Sequence, residues 1–566
     1  MKFKDMPYKR IDFEAAKQEL SGIREDFLAA GSAKEQFDVH KRYYALIGRV
    51  RTQSTLAEIR HSIDTSDQFY EEEKSFYDRE MPAFSNQIVE YQKGLYASPY
   101  RAELEKIIGG PAFKNMELAA KAVNEAVIPL MQEENALVTE YEKLLASAKI
   151  DWEGETLNLS MMTPYLNHKD RTVRRSAAAK VNAFYESISE KLDELYDKLV
   201  KNRTEQAHKL GFETYTELGY CRMNRNSYGR EDVERFRDQI KKEWVPFAEE
   251  MWENRRKRLG LEKLYHMDEG LSFPEGSPKP VGTPEEILKS GQKMYEELSP
   301  ETREFFDFMM ENDLFDVFAR PNKQVGGYMT YLHDYHAPFI FANFNGTAGD
   351  VDVVTHECGH AFQGYLSGKD EILEHSDITM ETAETHSMSM EFFTNPWMEW
   401  FFGDRAKDFL KSQLEDAVVF IPYGSMVDEF QHIVYDNPNL TPKERKEAWK
   451  ALERVYKPHL QYEEESSFYA EGGFWQRQHH IYSFPFYYID YVIAQTDAFQ
   501  YKIRMQKDYH EAWESYLGFC RESASDFFTN MLQHAGLKSP FEAGTIKEIA
   551  DGLREIYAKM DEQEEK

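Results

Sequence analysis

Apolar residues recur at i, i+3 and i+4 from Asp12 to Tyr265, the spacing that gathers them on one stripe of a helix. Long runs such as Asp170 to Leu210 contain no proline, so this half of the chain is predicted to be helical. Its charge runs, such as Glu71-Glu72-Glu73-Lys74, read as solvated helix faces. From Ser272 to Pro284 the period gives way to FPEGSPKPVGTP, a loop or linker, after which Thr283 and Pro284 start another helix. A second break, Gln324 to Gly349, is rich in glycine, aromatics and short apolar runs and predicts strands and turns. Helix then resumes, with starts expected at Thr441-Pro442 and Ser539-Pro540. No fixed-period repeat is present, which argues against a solenoid.

The length of 566 residues corresponds to three or four domain-sized units at roughly 100 to 200 residues each. A 41% hydrophobic and 14% aromatic composition can bury a large core and does not suit a disordered chain. Sixty-nine basic against 100 acidic residues leave a net charge of −31, which disfavours nucleic acid and anionic lipid as partners. Three scattered cysteines offer no disulfide framework and fit a reducing compartment. The first twenty residues carry charges throughout, without the apolar core of a leader, and no window approaches 18 uncharged apolar residues. A soluble cytoplasmic protein without a membrane partner is expected; oligomeric state has no signature here.

Candidate chemistry sits in VDVVTHECGHAFQGYL, which contains His356-Glu357-Cys358-Gly359-His360. On a helix, residues four apart lie roughly 40° apart with about 6 Å of rise, so both imidazoles can face one divalent ion with Glu357 beside them. Neutral imidazoles suit Zn²⁺, an open position on the ion holds water, and the adjacent carboxylate can take that water's proton. Cys358 is expected to leave the helix away from the metal and is given no role.

The third ligand decides the class. A histidine six residues after His360 would mark one branch of zinc peptidases, but Leu366 stands there and excludes it. The alternative is a glutamate from a following helix, and METAETHSMSMEFF, Met380 to Phe393, has that pattern with Glu381, Glu384 and Glu391 near one face. A loop from Gly364 to Ser376 lets this helix fold back on the motif helix. His375 and His386 are rivals, although His386, two positions from Glu384, faces elsewhere. Glu384 is the expected ligand, and Glu391 is expected to fix a ligand's orientation.

HECGHAFQGYL followed by AETHSMSMEFF resembles the thimet oligopeptidase and oligoendopeptidase F family of zinc metallopeptidases, whose ligand glutamate precedes another glutamate by seven positions, as Glu384 precedes Glu391. The resemblance extends to AHKLGF at Ala207–Phe212, LGLEKLYHMD at Leu259–Asp268 and KQVGGY at Lys323–Tyr328. A bacterial branch that includes Pz-peptidases is the nearest likeness. The family's His-x-Tyr and aromatic run match QHHIYSFPFYYIDYVIA, Gln478 to Ala494. The resemblance implies that His480, Tyr482, Tyr488 and Tyr491 stabilise the charge that builds on the carbonyl oxygen, since neutral donors there lower the barrier. It implies that a strand opened by Gly326, Gly327 and Tyr328 pairs with the substrate backbone. It also implies a mainly α fold of two helical lobes around a deep substrate channel, with a small β-sheet next to the motif helix. Residues 1–200 would form a helical N-terminal region and 201–566 the catalytic region.

The expected activity is zinc-dependent hydrolysis of internal bonds in short unstructured oligopeptides, with one Zn²⁺ per chain held by His356, His360 and Glu384 and the attacking water activated by Glu357. The alternative is a zinc carboxypeptidase of the HExxH type, which would need an arginine for the terminal carboxylate; Arg477 is the nearest. A metal-free helical scaffold or peptide-binding chaperone is the competing class.

Overall fold

Helices form where an apolar stripe and a capping residue coincide. The computed structural model describes residues 1–324 and 326–564; Val325, within the expected strand-and-turn segment, and the last two residues of the expected catalytic region lie outside the described residues. Helices Phe13–Ala29, Ala33–Ile63 and Gln68–Tyr96 begin after Asp12, Ser32 and Asp67, whose side chains accept first-turn N–H groups that otherwise lack partners. Phe13, Ala16, Leu20, Ile23 and Phe27 pack with Leu46, Ile47 and Val50 and with Phe84, Tyr91 and Leu95 in one core. Each such large side chain contributes about 1.5–3 kcal/mol on burial. The proline-free span becomes one helix, Arg171–Lys209. Reciprocal capping boxes, Thr283 with Glu286 and Thr441 with Glu444, start helices at Pro284 and Pro442.

Ser539-Pro540 starts no helix. Ser539 makes a turn, accepting from the Phe541 and Glu542 N–H groups, because Phe541 is drawn into the core against Tyr228 (4.7 Å between rings). The terminal helix starts at Thr545.

The small sheets are β1 (Ile150–Trp152) with β2 (Glu155–Leu157), and β3 (Phe315–Phe318), β4 (Tyr328–Leu332) and β5 (Ala337–Phe344) in the order β3-β5-β4. β3 runs parallel to β5 and β4 antiparallel to it, Met329 facing Ile340. The β1–β2 hairpin, absent from the sequence reading, turns through Glu153 and Gly154, both at positive φ, as the twist of a two-residue hairpin requires. The fold is therefore mainly α with a small sheet beside the motif helix, as expected. Among the described residues no helix is long and apolar enough to cross a membrane.

The chain divides into two units, Met1–Ala120, Lys279–Ala406 and Gln500–Leu537 in the first, Lys121–Pro278, Lys407–Phe499 and Lys538–Lys566 in the second. The expected division at residue 200 falls inside the helix Arg171–Lys209, and each of the two units collects segments distant in sequence.

Within the second unit, buried Asp268 accepts from Arg171 Nε (3.1 Å) and Nη2 (2.6 Å) and from Arg174 Nη2 (2.7 Å). Burial pushes its carboxyl pKa up, but the two guanidiniums win and leave it below the usual value. A carboxyl depressed by folding contributes stability above its unfolded pKa and loses it as pH falls through the folded pKa. Asp268→Ala, which leaves buried Arg174 without its carboxylate partner, is expected to cost about 3–5 kcal/mol at neutral pH. Denaturant unfolding should show that deficit shrinking below about pH 4.

Candidate metal centre

Three side chains of the first unit converge. Glu384 Oε2 lies 3.4 Å from His356 Nε2 and 3.5 Å from His360 Nε2, and the three donor atoms all lie within 4.8 Å of one another. Tetrahedral zinc with bonds of about 2.0–2.1 Å places its ligand atoms about 3.3 Å apart, so one ion fits between these donors with little movement. His356 turns its other nitrogen, Nδ1, to Glu391 Oε1 at 2.7 Å, the carboxylate–imidazole arrangement that orients a metal-binding histidine. Ser387 Oγ donates to Glu384 Oε2 at 3.1 Å. Burial pulls the His356 pKa down, but its hydrogen bonds to Glu384 and Glu391 overcome this and raise it well above the ordinary value. Burial likewise works against the Glu384 carboxylate, and the neighbouring His360 and His356 side chains outweigh it and hold its pKa below the usual value. The pocket is built for positive charge.

The motif does not lie on one uniform α-helix. Val353–Glu357 form a single π turn, followed by the α-helix Cys358–Ser367, and such wide turns recur at functional sites. Glu357, in the π turn, is half-buried. The rival histidines are occupied elsewhere. His375 bonds Asp370 (2.7 Å) and the Ile108 carbonyl (3.1 Å). His386 is fully buried against the Phe519 ring (5.1 Å), and burial, with His360 second, pushes its pKa down to about 3. Glu381 and Cys358 are both buried. A second group of potential ligands, Glu522, Asp526 and His534, has an exposed histidine paired with Glu522 and resembles an ordinary surface ion pair.

Gly359 sets the approach of the two helices. A Cβ there would sit 2.6 Å from Ser387 Cα and 2.9 Å from the His386 carbonyl oxygen, distances at which backbone would have to move. The motif helix thus rests directly on the backbone of Met380–Phe393, and Tyr516 braces that helix by donating to the same His386 carbonyl (2.8 Å). This contact escaped the sequence reading, although a glycine within a helical pattern signals close backbone approach.

The C-terminal aromatic residues belong to the second unit. His480, in the short helix His479–Ser483, stands 4.9 Å from the Tyr488 ring and 5.9 Å from the Tyr491 ring, all three half-buried. Gln478 links His480 Nδ1 (3.0 Å) to the Tyr423 hydroxyl (2.7 Å). Burial pushes the Tyr488 phenol up, keeping it a neutral donor. Tyr482 differs from expectation: it is fully buried, stacked on Tyr141 at 3.9 Å, and its hydroxyl donates to the Leu192 carbonyl (3.2 Å). Its donor is used within the core, and it serves as a packing residue.

Gly326 has φ +96° with open space where a Cβ would stand, whereas Gly327 lies against the Phe341 carbonyl. Tyr328 opens β4 and stacks on Phe341 (5.0 Å). The sheet order leaves β4 at an edge.

Comparison with known proteins agrees with this architecture. Residues 3–123 match the peptidase M3 N-terminal domain, and 165–272 with 288–551 match peptidase family M3. A structure of Pz peptidase A with an inhibitor is 45% identical, covering 99% of this chain and 100% of that one, with a TM-score of 0.93. An oligoendopeptidase F structure from Bacillus anthracis strain Ames is 41% identical over 100% and 99% of the two chains, with a TM-score of 0.89. An oligoendopeptidase F homologue from Borreliella burgdorferi is 20% identical over 463 residues, 77% of this chain and 76% of its own.

Gly359→Ala should force the two helices apart and weaken zinc binding, with Glu391→Ala losing about 10- to 100-fold in affinity through the freed imidazole. Competition with a chromogenic chelator measures both; wild-type affinity in Gly359→Ala would show that the helices slide without cost.

Proposed function

The chain belongs to peptidase family M3, and from that membership and the convergence of His356, His360 and Glu384 we propose that it is a zinc-dependent endopeptidase of short, unstructured oligopeptides. The observation that carries the proposal is a donor spacing that matches one tetrahedral ion, with Glu391 behind a ligand. When bound there, zinc supplies a Lewis acid that polarises the scissile carbonyl and acidifies water. Glu357 takes the proton of the attacking water as the oxygen–carbon bond forms, and delivers it to the amide nitrogen as the carbon–nitrogen bond breaks, so the products are an acid and an amine. His480, Tyr488 and Tyr491 are the proposed neutral donors to the oxyanion, each contact of this kind being worth about 2.7–4 kcal/mol.

Main-chain pairing along the edge of β4, opened by Gly326 and Gly327, is the proposed source of affinity, since backbone bonds bind peptides with little regard for side chains. The oligopeptide class is supported by the names of the relatives, Pz peptidase and oligoendopeptidase F. Cytoplasmic work is supported by Cys221, Cys358 and Cys520, which form no disulfide.

Glu357→Gln should retain one zinc per chain and lose about 10²- to 10⁴-fold in kcat, because the amide cannot take a proton. Metal analysis and cleavage of an internally quenched peptide with both ends blocked read the two quantities together. Near wild-type turnover would remove Glu357 from the mechanism, and failure on blocked ends with sequential loss of C-terminal residues would make the enzyme a carboxypeptidase.

A further inference from the structure

The turn that leads into the helix Tyr488–Met505 is held in an unusual way. Phe486 has φ +68°, a left-handed conformation that a bulky residue keeps only when its surroundings impose it. Its ring is fully buried against Tyr435 and His432, at 5.5 and 5.0 Å, and is so close to the backbone of Gly219 that a Cβ there would meet it at 2.5 Å. Its N–H donates to Gln431 Oε1 (3.0 Å). Its carbonyl accepts from Arg225 Nη2, and the same nitrogen reaches Asp490 Oδ1 at 3.1 Å. Arg225 and Asp490 are both buried, the guanidinium stands 4.2 Å from the centre of the Tyr220 ring, and Tyr228 adds a hydroxyl to Asp490 Oδ1 (3.2 Å).

We propose that Arg225 and Asp490 are positioning residues that hold Tyr488 and Tyr491 in register with His480, by tying the carbonyl before the helix to a carboxylate in its first turn. The inference rests on the reading above that these tyrosines are oxyanion donors. Stability is a weak reason for such a pair, because replacing buried ions by apolar residues is often neutral or stabilising. What the pair supplies is direction. One guanidinium nitrogen spans Phe486 and Asp490, two positions before and two after Tyr488, and so fixes where the helix begins and how it is rotated. Tyr491, one residue after Asp490, moves with it.

The test compares Asp490→Asn and Arg225→Lys with wild-type enzyme, each alone and in a Tyr488→Phe/Tyr491→Phe background. The readouts are kcat and KM on a quenched peptide, zinc content and thermal midpoint. Asp490→Asn and Arg225→Lys should each lower kcat about 10- to 100-fold, the scale of a misplaced catalytic group, with KM and zinc content unchanged. In the tyrosine-deficient background the same substitutions should cost less than about twofold further, because residues acting through one another are not additive. Equal losses in both backgrounds, or wild-type kcat in the single variants, overturn the proposal. Wild-type kcat in the tyrosine variants themselves overturns the reading beneath it as well. If Asp490→Asn does not fold, the apolar pair Arg225→Met with Asp490→Leu replaces it. A folded pair variant of reduced kcat supports the proposal, and one of full activity overturns it.

Discussion

The candidate centre depends on how closely two helices approach at Gly359. With hydrogen in place of a side chain, the motif helix lies against the backbone of His386 and Ser387, and Glu384, one turn away, comes within 3.5 Å of both imidazoles. A helix pair packed through ordinary side chains stands about 8–10 Å apart, so a side chain at Gly359 would shift Glu384 relative to the two histidines it faces. The loop between the helices and the brace from Tyr516 serve this contact.

Electrostatics follow from the same approach. Two carboxylates, buried Glu384 and half-buried Glu391, flank half-buried His356, where charge is less screened than at an open surface. The field that raises the proton affinity of His356 also attracts a divalent cation, so protons and metal compete for one place. Neutral donors suit the opposite task, and the half-buried cluster of His480, Tyr488 and Tyr491 carries no carboxylate among its three members.

The second unit repeatedly uses arginines, most of them buried, to fasten irregular backbone. Arg225 holds the Phe486 carbonyl, Arg203 holds that of Tyr482, and Arg171 and Arg174 clamp Asp268 beneath the start of a 39-residue helix. A guanidinium can serve a carbonyl and a carboxylate at once because its five donors lie in a rigid plane. In each case a local backbone conformation is held by residues far away in sequence.

The sequence by itself determined the helices, because apolar period and capping chemistry act within a few residues. The spans from Asp170 and after Thr283 and Thr441 were readable for that reason. The residues of the candidate centre were legible too: His356, Glu357 and His360 are local to one turn, and Glu384 with Glu391 on a single helix matches the pattern of the family the chain resembles. The misplaced start at Ser539-Pro540 shows the limit, since Phe541 is placed by tertiary packing that outweighs a local helix signal. Only the tertiary structure decided that Tyr482 is fully buried while Tyr488 and Tyr491 stay half-buried: the three fall in one aromatic segment, and the burial of Tyr482 depends on Tyr141 and Leu192, hundreds of residues earlier. It decided the division into units, because contacts between segments hundreds of residues apart leave no period in the chain. It also decided the role of Gly359, since a glycine in a helix shows only that something comes close, and what comes close is chosen by the fold.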